Sequence, residues 1–198
     1  MVLVDRLADG GFDYVASPNR QVSHDLTQTL FGMGYENIAV FSEKLKHITP
    51  RIDRYRGYSD AAAEAGIAPV LCEIDENDPL GCCREHLAGF VSGNPGRRLA
   101  VICSNGVAAL NVILAAQELG IERGSDFGCV TFDDWQWLKL SRPHISAVNL
   151  GTEEKGYKAA ELLIKRIKGS DIPDELRRIK ITPTVVLRSS TVPAVGKK

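Results

Sequence analysis

The sequence predicts an α/β fold in which a mainly parallel sheet is flanked by helices. Short apolar runs alternate along the chain with segments of helical periodicity, as strands and crossover helices do in such folds. The clearest unit has an apolar run at 99–103, a helical pattern at 107–119 and a second apolar run at 127–132. Parallel strands need a crossover of about this length, so these segments are expected to form one β-α-β unit.

The remaining elements follow the same alternation. Strand-like runs lie at 1–5, 14–17, 37–41, 69–73 and 143–148, and helical patterns lie at 21–33, 51–65, 82–92 and 151–168. The inward side of the last helix is predicted to carry Ala159, Ala160, Leu163, Ile164 and Ile167. The segment 179–187 alternates but contains Pro183, which indicates a hairpin or an edge strand. Disorder is expected for the tail, 192–198.

Composition narrows the function classes. Lys plus Arg number 24 and Asp plus Glu number 25, a net charge of −1, so the chain as a whole has no charge that would attract nucleic acid or an anionic membrane. No apolar run approaches the roughly 20 residues of a membrane span. The 5 cysteines include no CxxC pair, which favours reduced, buried thiols and a cytoplasmic location over a disulfide framework or a metal site.

Polar residues at the ends of two neighbouring strands mark a candidate binding site. Ligands of parallel sheets bind outside the carboxyl ends of the strands, where Ser104 and Asn105 follow one strand and Asp133 and Asp134 follow the next. A helix N-cap is the alternative role for Asn105, and a cap on the next helical turn is the alternative for Asp133. The sequence contains neither GxGxxG nor a P-loop, so no nucleotide cofactor is expected.

An enzyme is not expected either. The histidines are scattered and form no recognisable catalytic spacing with Ser, Asp or Cys: His24, His47, His86 and His144. A hydrolase that uses Asp133 and Asp134 is kept as an alternative.

Several local patterns occur in one order along the chain. They are VLVDR at 2–6, RYRGYSDAAAEAGI at 54–67, AVICSNGVAAL at 100–110, VTFDD at 130–134, GYKAAELLIKRI at 156–167 and ITPTVVLRSST at 181–191. The ordered set resembles the effector-binding core of LacI/GalR-type transcription regulators, which share the type I periplasmic-binding-protein fold. The resemblance implies a nearly complete C-terminal subdomain (17–148 plus 179–191) with remnants of the N-terminal subdomain (1–16 plus 149–178).

The resemblance also implies a function. The chain would be the effector-sensing and dimerisation core of a bacterial repressor, and the repressor would reach operator DNA only through a helix-turn-helix headpiece that this chain lacks. A small polar effector, a sugar or a sugar acid, would bind in the cleft between the subdomains of a homodimer, without a cofactor, metal or membrane. A solute-binding receptor for sugar transport is the alternative.

Two acidic residues and an amide are implied as effector contacts. Asp133 matches the acidic residue that accepts hydrogen bonds from the effector in the family, and Asn105 matches a polar contact on the preceding strand. Asp5 matches a cleft-facing residue at the end of the first strand, with a plain turn residue as the alternative. Gly106 stands where the family usually has Asp, which thins the polar wall.

An arginine and a tryptophan complete the implied site. Arg51, Arg54 and Arg56 compete for the family's effector-binding arginine; Arg51 is preferred, and the other two are expected at the surface or in ion pairs. Trp135 is expected to stack on a sugar face, with packing at the cleft rim or a subunit interface as the alternative for it and for Trp137.

Overall fold

The computed structural model describes residues 1–6, 11–169, 172–173 and 177–192, whose strands form two sheets. The larger sheet has six strands in the order β4-β3-β5-β6-β7-β9, and the smaller has three in the order β1-β2-β8. The strands are β1 (Val2–Val4), β2 (Asp13–Ala16), β3 (Asn37–Glu43), β4 (Val70–Ile74), β5 (Leu99–Cys103), β6 (Phe127–Phe132), β7 (Ser146–Asn149), β8 (Arg178–Lys180) and β9 (Thr184–Val186). The helices are α1 (Asn19–Gly32), α2 (Thr49–Glu64), α3 (Pro79–Ser92), α4 (Gly106–Leu119) and α5 (Thr152–Ile167), with a 3-10 turn at Gln136–Lys139.

The six-stranded sheet and its helices, the large lobe, confirm the predicted α/β fold. All its neighbouring strands are parallel except β9, which runs antiparallel to β7. Successive residues of one strand enter opposite cores: Phe41 and Val101 belong to the core with α3 and α4, whereas Val40 and Ile102 belong to the core with α1 and α2. Because both faces are buried, these strands are apolar runs rather than alternating ones.

Helices α1 and α2 approach each other closely at Gly57. A Cβ at this position would overlap the backbone of Arg20 and His24 on α1. The hydroxyl of Ser23 donates to the carbonyl of Arg54 over 2.6 Å at the same crossing. This contact fixes the face of α2 that carries the Arg54 side chain.

The three-stranded sheet and α5 form the small lobe, which sits at the carboxyl ends of the large sheet. Its strands are parallel, and Ala159 of α5 packs with Val15 and Ile181 beneath them. The chain crosses between the lobes after β2, after β7 and after β8. The crossings touch, because the Ser17 hydroxyl donates to the Leu150 carbonyl (3.5 Å) and the Ile181 amide donates to the Ala16 carbonyl (2.9 Å). These crossings border the space between the two lobes, which we call the cleft.

The inward face predicted for α5 is only partly right. Lys155, Ala159 and Leu162 are buried, whereas Leu163, Ile164 and Ile167 are 42%, 51% and 76% exposed, and Ala160 is exposed too. The helix carries apolar residues on two adjacent arcs, and periodicity does not tell which arc meets the sheet. Contact with β1 and β2 selects the arc of residues 155, 159 and 162.

The segment 179–187 splits between the two sheets. Residues 178–180 form β8 beside β2 in the small lobe, and residues 184–186 form the edge strand β9 beside β7. An edge position is therefore right and a hairpin is wrong, and residue 180 is the last residue of the small-lobe strand β8. The predicted disorder of the tail falls, beyond Val192, outside the described residues. Within the described part of the chain, no helix combines the length and hydropathy that crossing a membrane requires.

Candidate functional site

Three polar residues stand side by side where β3, β5 and β6 end. The parallel register pairs Phe41 with Cys103 and Cys103 with Thr131, which aligns the ends of the three strands. Glu43, Asn105 and Asp133 lie at or just after these ends. They form the floor of the cleft on the side of the large lobe.

Asn105 has the helix N-cap role that was the alternative considered for it, and its amide nitrogen is bound to Glu43. Its Oδ1 accepts a hydrogen bond from the Ala108 amide (2.9 Å) and so caps α4. Its Nδ2 donates to both oxygens of the Glu43 carboxylate, at 3.0 and 2.9 Å. The side chain is therefore fixed from two directions, and Glu43 occupies its donors.

The Asp133 carboxylate has no bonding partner among the described residues. Its backbone is in the left-handed region (φ 75°), and its amide donates to the Val148 carbonyl over 3.1 Å. Among the described residues its side chain makes no hydrogen bond or ion pair, and the 3-10 turn that follows has no side-chain cap. Both carboxylate oxygens can therefore accept hydrogen bonds from a ligand.

Asp134, in contrast, is bound within the protein. Both of its oxygens accept from Nη2 of Arg188 at 2.8 Å, and Arg188 also donates to the Ile145 carbonyl. The pair is nearly buried and holds the segment after β9 against the large lobe. The two acids that end β6 thus have different roles.

The structure places one of the three candidate arginines, Arg54, differently from the expectation. Arg51 is bound to Glu43, with Nη2 3.2 Å from Oε2, and its Nη1 donates to the Lys44 carbonyl. Arg54, expected at the surface or in an ion pair, is instead buried, with 8% exposure. Arg56 is exposed, as expected. Arg54 is buried because the α1–α2 crossing turns the face of α2 that carries Arg54 toward the sheet.

Arg54 is held over the ends of the strands. Its Nε donates to Asn19 Oδ1 (2.8 Å), its Nη1 donates to the Ser104 carbonyl (2.6 Å), and its guanidinium lies 4.4 Å from the centre of the Phe132 ring. Burial lowers the pKa of Arg54, while the charges of nearby Asp133 and Asp5 raise it. Its Nη2 makes no hydrogen bond with any described residue and is available to a ligand.

Asp5 lies at the cleft-facing end of β1 with a left-handed backbone (φ 60°). Its oxygens accept from the ammonium of Lys155 at 2.7 and 2.9 Å. The Lys155 side chain is 1% exposed, whereas that of Asp5 is 30% exposed. This pair forms the small-lobe side of the cleft.

Trp135 covers the start of α4. Its ring lies against Gly106, where an added Cβ would come within 3.0 Å of it, and meets Trp137 edge-on at 6.4 Å between centroids. The indole is 46% exposed. The glycine that departs from the family pattern therefore makes room for an aromatic ring beside Asn105.

Sequence reasoning missed Glu43 and Lys155 and placed Arg54 behind Arg51 among the candidate arginines. Glu43 could have been found by the same rule as Asn105 and Asp133, because it lies at the end of an apolar strand. Arg54 and Lys155 give no such signal, since their burial depends on how α2 and α5 are turned. A separate groove of about 700 Å³, lined by Tyr14, Arg20 and residues of α1 and α2, lies beside this site and does not contain Asp133.

The fold and the sequence both have known relatives. Residues 27–191 match the family model described as "Periplasmic binding protein-like domain". The chain belongs to this family. The periplasmic-binding-protein-like domain covers most of the chain, and the predicted resemblance to LacI/GalR-type regulators is confirmed by the relatives that follow.

Two curated relatives are transcriptional regulators. The chain is 31% identical over 192 residues to the HTH-type transcriptional regulator KdgR of Bacillus subtilis (96% of this chain, 56% of that protein). It is 30% identical over 195 residues to the HTH-type transcriptional regulator PtxS of Pseudomonas putida (98% of this chain, 56% of that protein). The chain thus spans about half the length of these relatives.

A solved structure confirms the fold. A LacI family transcriptional regulator from Enterococcus faecium, with bound ribose, superposes with a TM-score of 0.81 at 17% identity, covering 98% of this chain and 70% of that one. At this identity the likeness concerns the fold of the periplasmic-binding-protein-like domain alone.

Proposed function

We propose that the chain is the effector-sensing core of a bacterial transcription repressor and binds a sugar or sugar acid between its two lobes. The observation that carries the proposal is the pair of unsatisfied groups at the strand ends, the free carboxylate of Asp133 and the unpaired Nη2 of Arg54. One accepts hydrogen bonds and the other donates them, which suits a ligand with several hydroxyl groups. The regulators among its relatives favour this function over a transport receptor or a hydrolase.

The three adjoining crossings supply the means of signalling. A ligand that contacts both lobes favours one angle between them in proportion to its differential affinity for the two arrangements. In the whole protein this change would act on a DNA-binding domain of the helix-turn-helix type that the relatives' names carry. We place this activity in the cytoplasm and assign the chain no catalytic role. Residues 17–148 and 181–191 would form one subdomain, and residues 1–16 and 149–180 the other.

A homodimer completes the proposal. Val107, Leu110 and Leu114 of α4 are 51%, 46% and 40% exposed and, at spacings of three and four residues, form one apolar stripe. Contiguous exposed apolar surface is typical of protein interfaces. We therefore assign the α4 stripe to the contact between two copies.

Substitution of Asp133 tests the proposed site. Titration calorimetry with a panel of neutral sugars and sugar acids identifies a ligand of the wild-type chain. Asp133→Ala is expected to weaken its binding by about tenfold or more, because a hydrogen bond to a charged group contributes about 1.5–3 kcal/mol. Glu85→Ala, which removes an exposed carboxylate on α3, is the control and should bind as the wild type does. Unchanged affinity in Asp133→Ala would refute the proposed site.

A further inference from the structure

Lys155 is a charged residue in an apolar position. It shares the inner face of α5 with Ala159 and Leu162 and is as buried as they are. Burial of a charge costs free energy, and apolar residues of similar volume often replace a buried ion pair without loss of stability. The packing of α5 therefore does not require a lysine here, which directs attention to what its ammonium faces.

The Lys155 ammonium is bonded to Asp5, and Asp5 lies at the cleft. Val4 pairs with Val15, so the end of β1 lies beside the end of β2, where the chain crosses to the large lobe. The Asp5 carboxylate is 30% exposed on its outer side and bonded to Lys155 on its inner side. The pair presents to the cleft a carboxylate whose charge is balanced from behind.

Arg54 lies across the cleft from this pair. Its guanidinium is close enough to Asp5 for the two charges to interact. Of the other charged groups around Arg54, Arg51 and Glu43 are bound to each other. Within this group of charged residues, Arg54 and Asp133 make no ion pair with any described residue, and Nη2 of Arg54 is a free donor.

From this arrangement we propose that Lys155 is a specificity-determining residue that makes the cleft selective for an effector bearing a carboxylate, a sugar acid. The inference rests on the proposed function and names the ligand class of the same site. The effector's carboxylate accepts from Nη2 of Arg54, and its hydroxyls donate to Asp133. Charge-assisted hydrogen bonds of this kind are about twice as strong as neutral ones.

The role of Lys155 follows from electrostatics. Without it, the Asp5 carboxylate would stand opposite Arg54 uncompensated and would repel a second carboxylate brought to the guanidinium. With Lys155 in place, the charges of Asp5 and Lys155 cancel, so the small-lobe side of the cleft is neutral and does not repel an anion. A neutral sugar is much less sensitive to this charge.

Matched ligands and charge variants test the inference. Calorimetry compares D-gluconate with D-glucose and D-galacturonate with D-galactose on the wild-type chain, which is expected to prefer the acid of each pair. In Lys155→Gln the ratio of the affinities for the acid and for the neutral sugar should fall by about tenfold or more. A tenfold fall corresponds to about 1.4 kcal/mol of binding free energy. The double variant Asp5→Asn/Lys155→Gln restores a neutral side and should recover much of the preference, which a purely structural role of Lys155 would not produce.

Lys158→Gln is the control, since Lys158 is a 40% exposed lysine on the same helix that lies 3.4 Å from Glu161. Circular dichroism checks that each variant is folded. Equal or tighter binding of the neutral sugars, tighter binding of D-glucose 6-phosphate than of the acids, or an unchanged preference in Lys155→Gln would overturn the inference. If neutral sugars bind and Asp133→Ala weakens their binding, the proposed function holds and the inference about Lys155 fails. If neither neutral sugars nor sugar acids bind, the proposed function and the inference both fail.

Discussion

Arg54 combines a structural task with the binding task that we propose for it. Two of its nitrogens tie α1 and the end of β5 together through Asn19 and Ser104, and the third faces the cleft. A planar guanidinium can do both at once because its donors point in fixed, separate directions. A lysine at the same place would carry the charge but could not keep this geometry.

Arg54→Lys is therefore expected to lower the free energy of unfolding. The loss should be about 1–3 kcal/mol, because Asn19 and the buried Ser104 carbonyl lose well-placed donors. Urea denaturation monitored by circular dichroism measures it. Arg56→Lys makes the same replacement at an exposed position of the same helix and should change stability by less than about 0.5 kcal/mol. Equal stability in the two variants would contradict the structural task of Arg54.

At the residue scale, the sequence predicts which strand ends carry polar groups but not which helical side chains reach them. Asp133 directly follows the apolar strand β6 and Asn105 lies two residues after β5, so a rule about strand ends is enough to find them. Arg51 and Arg54 are three positions apart on one helix and differ only in how α2 is rotated against α1. That rotation depends on the close approach at Gly57, which local spacing does not encode.

At the element scale, α1 and α2 are joined by more than apolar packing. His24 of α1 contacts Glu64 of α2 over 3.0 Å and Asp25 over 3.3 Å. The hydrogen bonds to Glu64 and then to Asp25 raise the pKa of His24 above its usual value near 6.5. The charged imidazole thus stabilises the folded helix pair.

This shift predicts a pH-dependent contribution to stability. A group whose folded pKa is raised stabilises the protein fully below its unfolded pKa, and the contribution is lost as pH rises through the folded pKa. The free energy of unfolding of the wild-type chain should therefore exceed that of His24→Gln by the largest amount at pH 5.5. This difference should shrink toward pH 8.5. Urea denaturation at several pH values measures this difference. A difference that stays constant or grows with pH would show that the ion pairs of His24 do not matter.

At the scale of the whole molecule, the large lobe could be predicted and the small lobe only in part. Strands β5 and β6 are bounded by turn residues and buried on both faces, so their limits follow from the sequence. The small lobe is built from segments far apart in the chain, β1, β2, β8 and α5, whose association no local pattern specifies. The same non-local packing decided that Lys155 rather than Ile164 faces inward.

The α4 stripe makes a prediction about the assembly. If two copies meet through Val107, Leu110 and Leu114, a charge placed at the centre of the stripe must be buried without a partner when the dimer forms. Leu110→Lys should then be monomeric at concentrations where the wild-type chain is dimeric, because such a burial costs several kcal/mol. Sedimentation equilibrium measures the change. Val185→Lys, at a 36% exposed apolar residue of the edge strand β9, is the control and should leave the wild-type assembly intact. A Leu110→Lys chain that still dimerises as tightly would place the contact between copies on another surface.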